Sequence, residues 1–141
     1  MDLYEPKNDS LSQRPLFVIV HGGGFNSGSR NTNSLVNLAE NVSRKGYVVT
    51  SIDYRLLEKT DYFGCNFSAN EKLKVYGNAA DDLLSALEYI LNYKANFRID
   101  DSKIVILGIS AGAETALNVI YNRKLVIRNL KRYADIKPAA V

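Results

Sequence analysis

Residues 103–117 read KIVILGISAGAETAL. A continuous apolar run, mostly β-branched, ends at Gly108, and a segment with apolar residues at helical spacing (Ala113, Ala116, Leu117, Ile120) begins three residues later. An unbroken apolar run of this length bounded by glycine is the pattern of a strand buried on both faces, as in a parallel sheet. The stretch therefore reads as buried strand, very tight turn and helix.

Working outward, two further runs have the same character: PLFVIV at 15–20 and YVVTSIDY at 47–54. Helical patterns lie between them. Leu35, Leu38, Ala39 and Val42 fall at i, i+3, i+4 and i+7, with Gly46 placed as a C-terminal cap. Leu83, Leu84, Leu87, Ile90 and Leu91 draw a second stripe, with Asp81 and Asp82 expected in an early turn where the helix dipole favours acids. Strand and helix in alternation predict an α/β fold, three-layer αβα with a mostly parallel sheet. KPAAV at 137–141 reads as one more strand beginning. The longest irregular stretch, from Leu56 to Asn70, carries Tyr62, Phe63 and Phe67, either as a substrate wall or packed on the core.

The 141 residues suit a single domain spanning 1–141, and 46% hydrophobic with 23% charged residues is a globular composition. Net charge is +3, and five of the 18 basic residues (Arg123, Lys124, Arg128, Lys131, Arg132) crowd one stretch. Leu125, Val126, Ile127, Leu130 and Tyr133 interleave with them, so the expectation is a solvated helix face and no nucleic-acid site. A single cysteine, Cys65, excludes an internal disulfide, and with one histidine no metal site is expected. No apolar run approaches the roughly 20 residues of a membrane span, and MDLYEPKNDS lacks a signal-peptide core. Cytoplasmic residence is the default expectation. The Asn-x-Ser sequons at Asn8, Asn41 and Asn66 are read as chance occurrences.

In parallel α/β sheets, ligands bind beyond the carboxyl ends of the strands. Two of the stretches placed there carry chemistry. Gly108-Ile109-Ser110-Ala111-Gly112 is the pattern G-x-S-x-G. A serine on so tight a strand-to-helix turn has a strained backbone, and its neighbours two before and two after must be small. The turn projects the hydroxyl above the sheet, and the helix aims its N-terminal N–H groups at whatever the serine attacks. The competing reading is a helix N-cap serine flanked by packing glycines.

The second stretch is HGGGF, His21 to Phe25, at the end of the 15–20 run. Without side chains on Gly22, Gly23 and Gly24, backbone N–H groups can approach a ligand and stabilise a developing oxyanion. A nucleotide loop fits poorly. No lysine stands where a P-loop needs one, and Ser27 replaces the third glycine of a dinucleotide fingerprint, leaving only the looser Gly22, Gly24, Gly28 pattern.

DLYEP, HGGGF, SIDYRL, ADDLLSALEYI and GISAGA, in this order and spacing, resemble the α/β-hydrolase superfamily, specifically carboxylesterases similar to hormone-sensitive lipase and to bacterial feruloyl and acetyl esterases. The resemblance implies an α/β-hydrolase fold and a small-molecule ester substrate without cofactor. It makes Ser110 the acyl-accepting nucleophile and the N–H groups of Gly23, Gly24 and Ala111 the oxyanion hole. His21, Gly22, Gly108 and Gly112 become structural supports, and Asp53 to Arg55 a structural strand-end element. The family's chain order is Ser, then Asp or Glu, then His. After Ser110 only Glu114 and Asp135 are acidic and no histidine follows. The expectation is the N-terminal half of an esterase, the fold truncated after about the strand that follows the nucleophile helix. Alone it should be weakly active or inactive. A non-catalytic binding module and a serine peptidase of the same fold remain alternatives.

Overall fold

Each apolar run becomes a strand of one sheet in the computed structural model, which describes residues 1–8, 10–58 and 63–141. The elements are β1 (Asp2–Tyr4), β2 (Arg14–Val20), α1 (Asn33–Ser43), β3 (Val48–Ile52), α2 (Ala69–Asn92), β4 (Ile99–Gly108), α3 (Ala111–Tyr121) and the short α4 (Arg123–Val126). The sheet order is β1-β3-β2-β4. β2 pairs in parallel with β3 and with β4, and β1 is an antiparallel edge strand. Beyond β4, Ala140 forms an isolated parallel bridge to Val105, with Ala139 N–H donating to the Ile104 carbonyl at 2.7 Å. KPAAV thus does begin to pair as a strand.

Alternation along β2 divides the core in two. Leu16, Val18 and Val20 face a cluster that includes Leu83, Leu84, Leu87 and Ile90 of α2 and Ala116 and Val119 of α3. Ile19 faces the other way, with Leu35 and Ala39 of α1 and Val49 of β3. Helices therefore cover both faces, giving the three layers expected. Each buried leucine or isoleucine contributes about 1.5–3 kcal/mol by leaving water.

Several local expectations need correction. α2 begins at Ala69, so Asp81 and Asp82 sit in mid-helix rather than in an early turn. Its true start is a capping box: Ser68 and Glu71 each take the other's backbone N–H. Gly77 masks the continuity, since glycine in a helix interior costs about 1 kcal/mol. Here it admits a neighbour, because a methyl would lie 2.8 Å from the Val126 carbonyl oxygen. Asp82 is instead the partner of Arg55, receiving its backbone N–H at 2.7 Å and its Nε at 2.9 Å. Arg55 so ties the end of β3 to α2.

The buried face of α3 is Ala111, Gly112, Thr115, Ala116 and Val119, while Leu117 is exposed. The sheet approaches this helix so closely that small residues, not large apolar ones, must face it. Gly46 is not the cap of α1: Arg44 is, and Gly46 closes a following turn at φ 101°. The basic stretch is not one amphipathic helix. Only Arg123–Val126 is helical, and Leu125 is exposed, whereas Val126, Ile127 and Tyr133 are buried. Its arginines are structural tethers: Arg123 to the carbonyls of Tyr133 and Ile136, Arg128 to Asn78, and Arg132 to Glu88. Phe63 and Phe67 pack on the core, Phe63 against Phe25 at 5.0 Å between ring centroids. Tyr62 lies outside the described residues.

Candidate active site

The sheet register brings the two sequence motifs together. Val20 of β2 pairs with Gly108 of β4, so the strands end side by side, and Ile109 N–H adds one more bond to the Val20 carbonyl at 3.1 Å. Ser110 follows at φ 51° and ψ −118°. A non-glycine residue held there stores on the order of 1–3 kcal/mol of strain. The chain enters α3 at once, with the N–H groups of Ala113 and Glu114 donating to the Ser110 carbonyl at 2.8 and 3.1 Å. Ser110 itself is exposed, on the open side of the turn.

The flanking glycines are required by space. A methyl on Gly108 would lie 2.3 Å from the Gly112 carbonyl oxygen, and one on Gly112 would lie 2.2 Å from the Val20 carbonyl oxygen. Both distances are far inside contact. Helix, strand and turn can meet only with hydrogen at these two positions.

The glycine loop lies directly against the serine. A methyl on Gly22 would stand 3.3 Å from Ser110 Cβ and 2.8 Å from the Ile109 carbonyl oxygen. Gly23 and Gly24 have φ 127° and 60°. The Gly23 carbonyl turns into the loop and accepts from the N–H groups of Asn26 and Ser27 and from Ser27 Oγ. Among the described residues, no backbone carbonyl accepts a loop hydrogen bond from the N–H of Gly23, Gly24 or Ala111. Ala111 is the first residue of α3, where no intrahelical acceptor exists.

His21 is 2% exposed. Its Nδ1 is 2.7 Å from the Gly22 carbonyl, which can only accept, so Nδ1 is the donor in this contact. Nε2 is 3.4 Å from Asp53 Oδ1 without forming a hydrogen bond. The imidazole stacks on Tyr54 at 4.5 Å, and Tyr54 Oη donates to the His21 carbonyl at 3.0 Å. Burial first, then the nearby Asp53 and Glu114 carboxylates, push the Tyr54 phenol up to about 12. Burial opposes ionisation of Asp53, but hydrogen bonds from the backbone and side chain of Arg30 outweigh it and hold the carboxyl below its ordinary range.

All eight expected site residues (His21, Gly22, Gly23, Gly24, Gly108, Ser110, Ala111 and Gly112) thus gather at the paired ends of β2 and β4. Three further residues shape the site without having been singled out. Gly28, at φ 97°, comes so near that a methyl would lie 2.2 Å from the Gly22 carbonyl oxygen and 2.6 Å from His21 Nδ1. Phe25 is 1% exposed despite a φ of 63°, its ring wedged between Tyr54, Phe63 and Tyr76. Arg30 closes the loop. Phe25 ends the HGGGF motif and Gly28 the looser glycine pattern, so both left a trace in the sequence, whereas Arg30 left none. A cavity of about 650 Å³ lined by Tyr4, Glu5, Glu40 and Arg44 lies at the opposite, amino end of β2 and β3, away from this chemistry. Among the described residues no cluster has the makings of a metal site, and no helix is long and apolar enough to cross a membrane.

Solved structures similar to this chain include esterases. The Est2 esterase of Thermogutta terrifontis with bound propionate superposes with a TM-score of 0.63 at 27% identity, over 84% of this chain and 39% of that one. Esterase B of Lactobacillus rhamnosis shares the fold, with a TM-score of 0.68 at 23% identity over 96% of this chain and 38% of that one. The fold is that of the α/β-hydrolases. Within it, the chain belongs to the BD-FAE family, whose sequence profile matches residues 1–137. Among curated relatives, juvenile hormone esterase of Heliothis virescens is 36% identical over 104 residues, covering 73% of this chain and 17% of that protein. Probable isoprenylcysteine alpha-carbonyl methylesterase ICMEL1 of Arabidopsis thaliana is 30% identical over 116 residues, covering 82% of this chain and 21% of that protein. The chain thus spans about a fifth of the length of these relatives.

Proposed function

We propose that the protein is a serine carboxylesterase with Ser110 as nucleophile and the N–H groups of Gly23, Gly24 and Ala111 as oxyanion hole. The observation that carries this reading is the contact of the glycine loop with the serine, Gly22 against Ser110 Cβ at the ends of two adjacent strands. Ser110 Oγ attacks the ester carbonyl carbon as its proton passes to a base. The carbonyl oxygen becomes an oxyanion held by fixed backbone donors, each worth about 3–4 kcal/mol in the transition state. Collapse expels the alcohol and leaves an acyl-serine, which water hydrolyses to the free acid.

His21 does not supply the base. Its Nδ1 is taken up by the Gly22 carbonyl and its Nε2 lies beside Asp53, whereas a base must come within about 2.6–3.2 Å of the hydroxyl. Its role is to order the glycine loop. The triad's acid, an Asp or Glu, and its base, a His, are assigned to positions outside these residues. By themselves these residues would retain only the catalysis of an oxyanion hole without a triad, on the order of 10³–10⁴ over water. The Est2 structures with propionate and butyrate bound support short-chain acyl esters as substrates. Hydrolysis of p-nitrophenyl acetate and butyrate by the full-length gene product tests the proposal: turnover that survives Ser110→Ala would defeat it.

A further inference from the structure

The glycine loop must hold two N–H donors in place although glycines resist folding more than any other residue. Both its ends lie beside a single carboxylate, and the Arg30 end is bonded to it. At the start of the loop, His21 Nε2 faces Asp53 Oδ1 at 3.4 Å. At its end, Arg30 donates its backbone N–H to the same Oδ1 at 2.7 Å and its guanidinium Nη1 to Oδ2. Arg30 Nε then reaches Asp2 of the edge strand β1 at 2.9 Å, and the Arg30 carbonyl accepts from the buried Ser51 hydroxyl of β3 at 2.9 Å. Four bonds thus converge on one residue, from the tip of β3, from its interior and from β1. The Arg30 side chain is 31% exposed, which favours these bonds over fully solvent-screened surface pairs.

We propose that Arg30 is a positioning residue for ester hydrolysis. It clamps the C-terminal end of the glycine loop to Asp53 and Asp2 and so fixes the oxyanion donors Gly23 and Gly24 against Ser110. This rests on the reading of that loop as the oxyanion hole. Arginine suits the position because its rigid planar fork aims separate N–H groups at two carboxylates, whereas an ammonium offers fewer donors from a single point.

The test is steady-state kinetics of p-nitrophenyl butyrate hydrolysis in the full-length gene product, alongside the rate of Ser110 modification by a fluorophosphonate. Displacing a catalytic group by about 1 Å costs up to about 10²-fold. Arg30→Met is therefore expected to lower kcat and the modification rate about 10- to 100-fold with KM within about threefold of wild type, and Arg30→Lys to recover part of the loss. Asp2→Asn leaves the Arg30–Asp53 pair in place and should lower kcat by a smaller factor in the same pattern. It serves as the readout if Arg30→Met does not fold. Variants that melt earlier but keep the wild-type kcat in their folded fraction would overturn the clamp. Absence of wild-type modification at Ser110 would instead remove the esterase reading on which it stands.

Discussion

Replacing Gly28 by alanine, set beside the same change at Gly24, measures how tightly the glycine loop is built. Gly28 has φ 97°, and a methyl there would lie 2.2 Å from the Gly22 carbonyl oxygen, 2.6 Å from His21 Nδ1 and 3.1 Å from His21 Cε1. Positive φ costs an L-residue about 1–2 kcal/mol, and forcing a methyl into packed backbone typically costs about 1–3 kcal/mol more. The expected destabilisation is about 2–5 kcal/mol. Gly24 has φ 60°, and its methyl would meet nothing nearer than Asn26 Oδ1 at 3.7 Å, an ordinary contact. There the left-handed cost is partly offset by the about 0.4–1 kcal/mol that alanine removes from unfolded-state entropy, leaving about 0–1.6 kcal/mol. Urea unfolding of the full-length gene product, read as a shift in midpoint at constant m-value, separates the two variants. The Gly28 methyl also displaces the His21–Gly22 bond that orders the loop, so its kcat should fall by about 10- to 100-fold. Equal losses at both positions, or a Gly28→Ala cost below about 0.5 kcal/mol, would refute the argument from space.

Other substitutions probe the same support. His21→Gln removes the stacking on Tyr54 but leaves the nucleophile untouched, so kcat should fall about tenfold, the worth of one net hydrogen bond; a loss as complete as that of Ser110→Ala would make His21 the base. Tyr54→Phe deletes the bond to the His21 carbonyl and should cost about 1 kcal/mol in urea unfolding. The Tyr54 phenol is raised in the folded state, from the ordinary 10 to about 12, so its contribution is complete below pH 10 and is lost as pH rises toward 12. Wild-type stability should consequently fall more steeply than that of Tyr54→Phe between about pH 10 and 12, and parallel curves would count against the burial of that phenol.

The sheet was legible because its central strands are buried on both faces. Leu16, Val18, Ile19 and Val20 are all 0% exposed, and such surroundings favour the apolar run that marks β2 in the sequence. β1 was not, since three residues paired at an edge, with Asp2 and Tyr4 half-exposed, carry no periodicity. Hydrophobicity misplaced the buried face of α3 because closeness selects there for smallness. Gly112 and Ala116 are buried where Leu117 could not fit, an inversion explained by the Val20 carbonyl oxygen, which would lie only 2.2 Å from a methyl on Gly112.

The site divides the same way. Ser110 and its glycines could be read because strand, turn and helix force them within five residues. The contacts of Gly28 with His21, and of Arg30 with Asp53 and Asp2, depend on where the loop returns. That return is decided by the order β1-β3-β2 in the sheet and by nothing local. Asp81 and Asp82 show the opposite hazard, a local rule about helix starts applied to a helix that had begun twelve residues earlier.

The central claim is that Ser110 is the nucleophile, and covalent capture tests it most directly. The full-length gene product is treated with a fluorophosphonate, its intact mass is measured, and the adduct is located by peptide mapping. The account predicts a single adduct on Ser110 that forms more slowly in the presence of a short-chain ester and is absent from Ser110→Ala. No adduct, or an adduct on another residue that Ser110→Ala leaves unchanged, would contradict it.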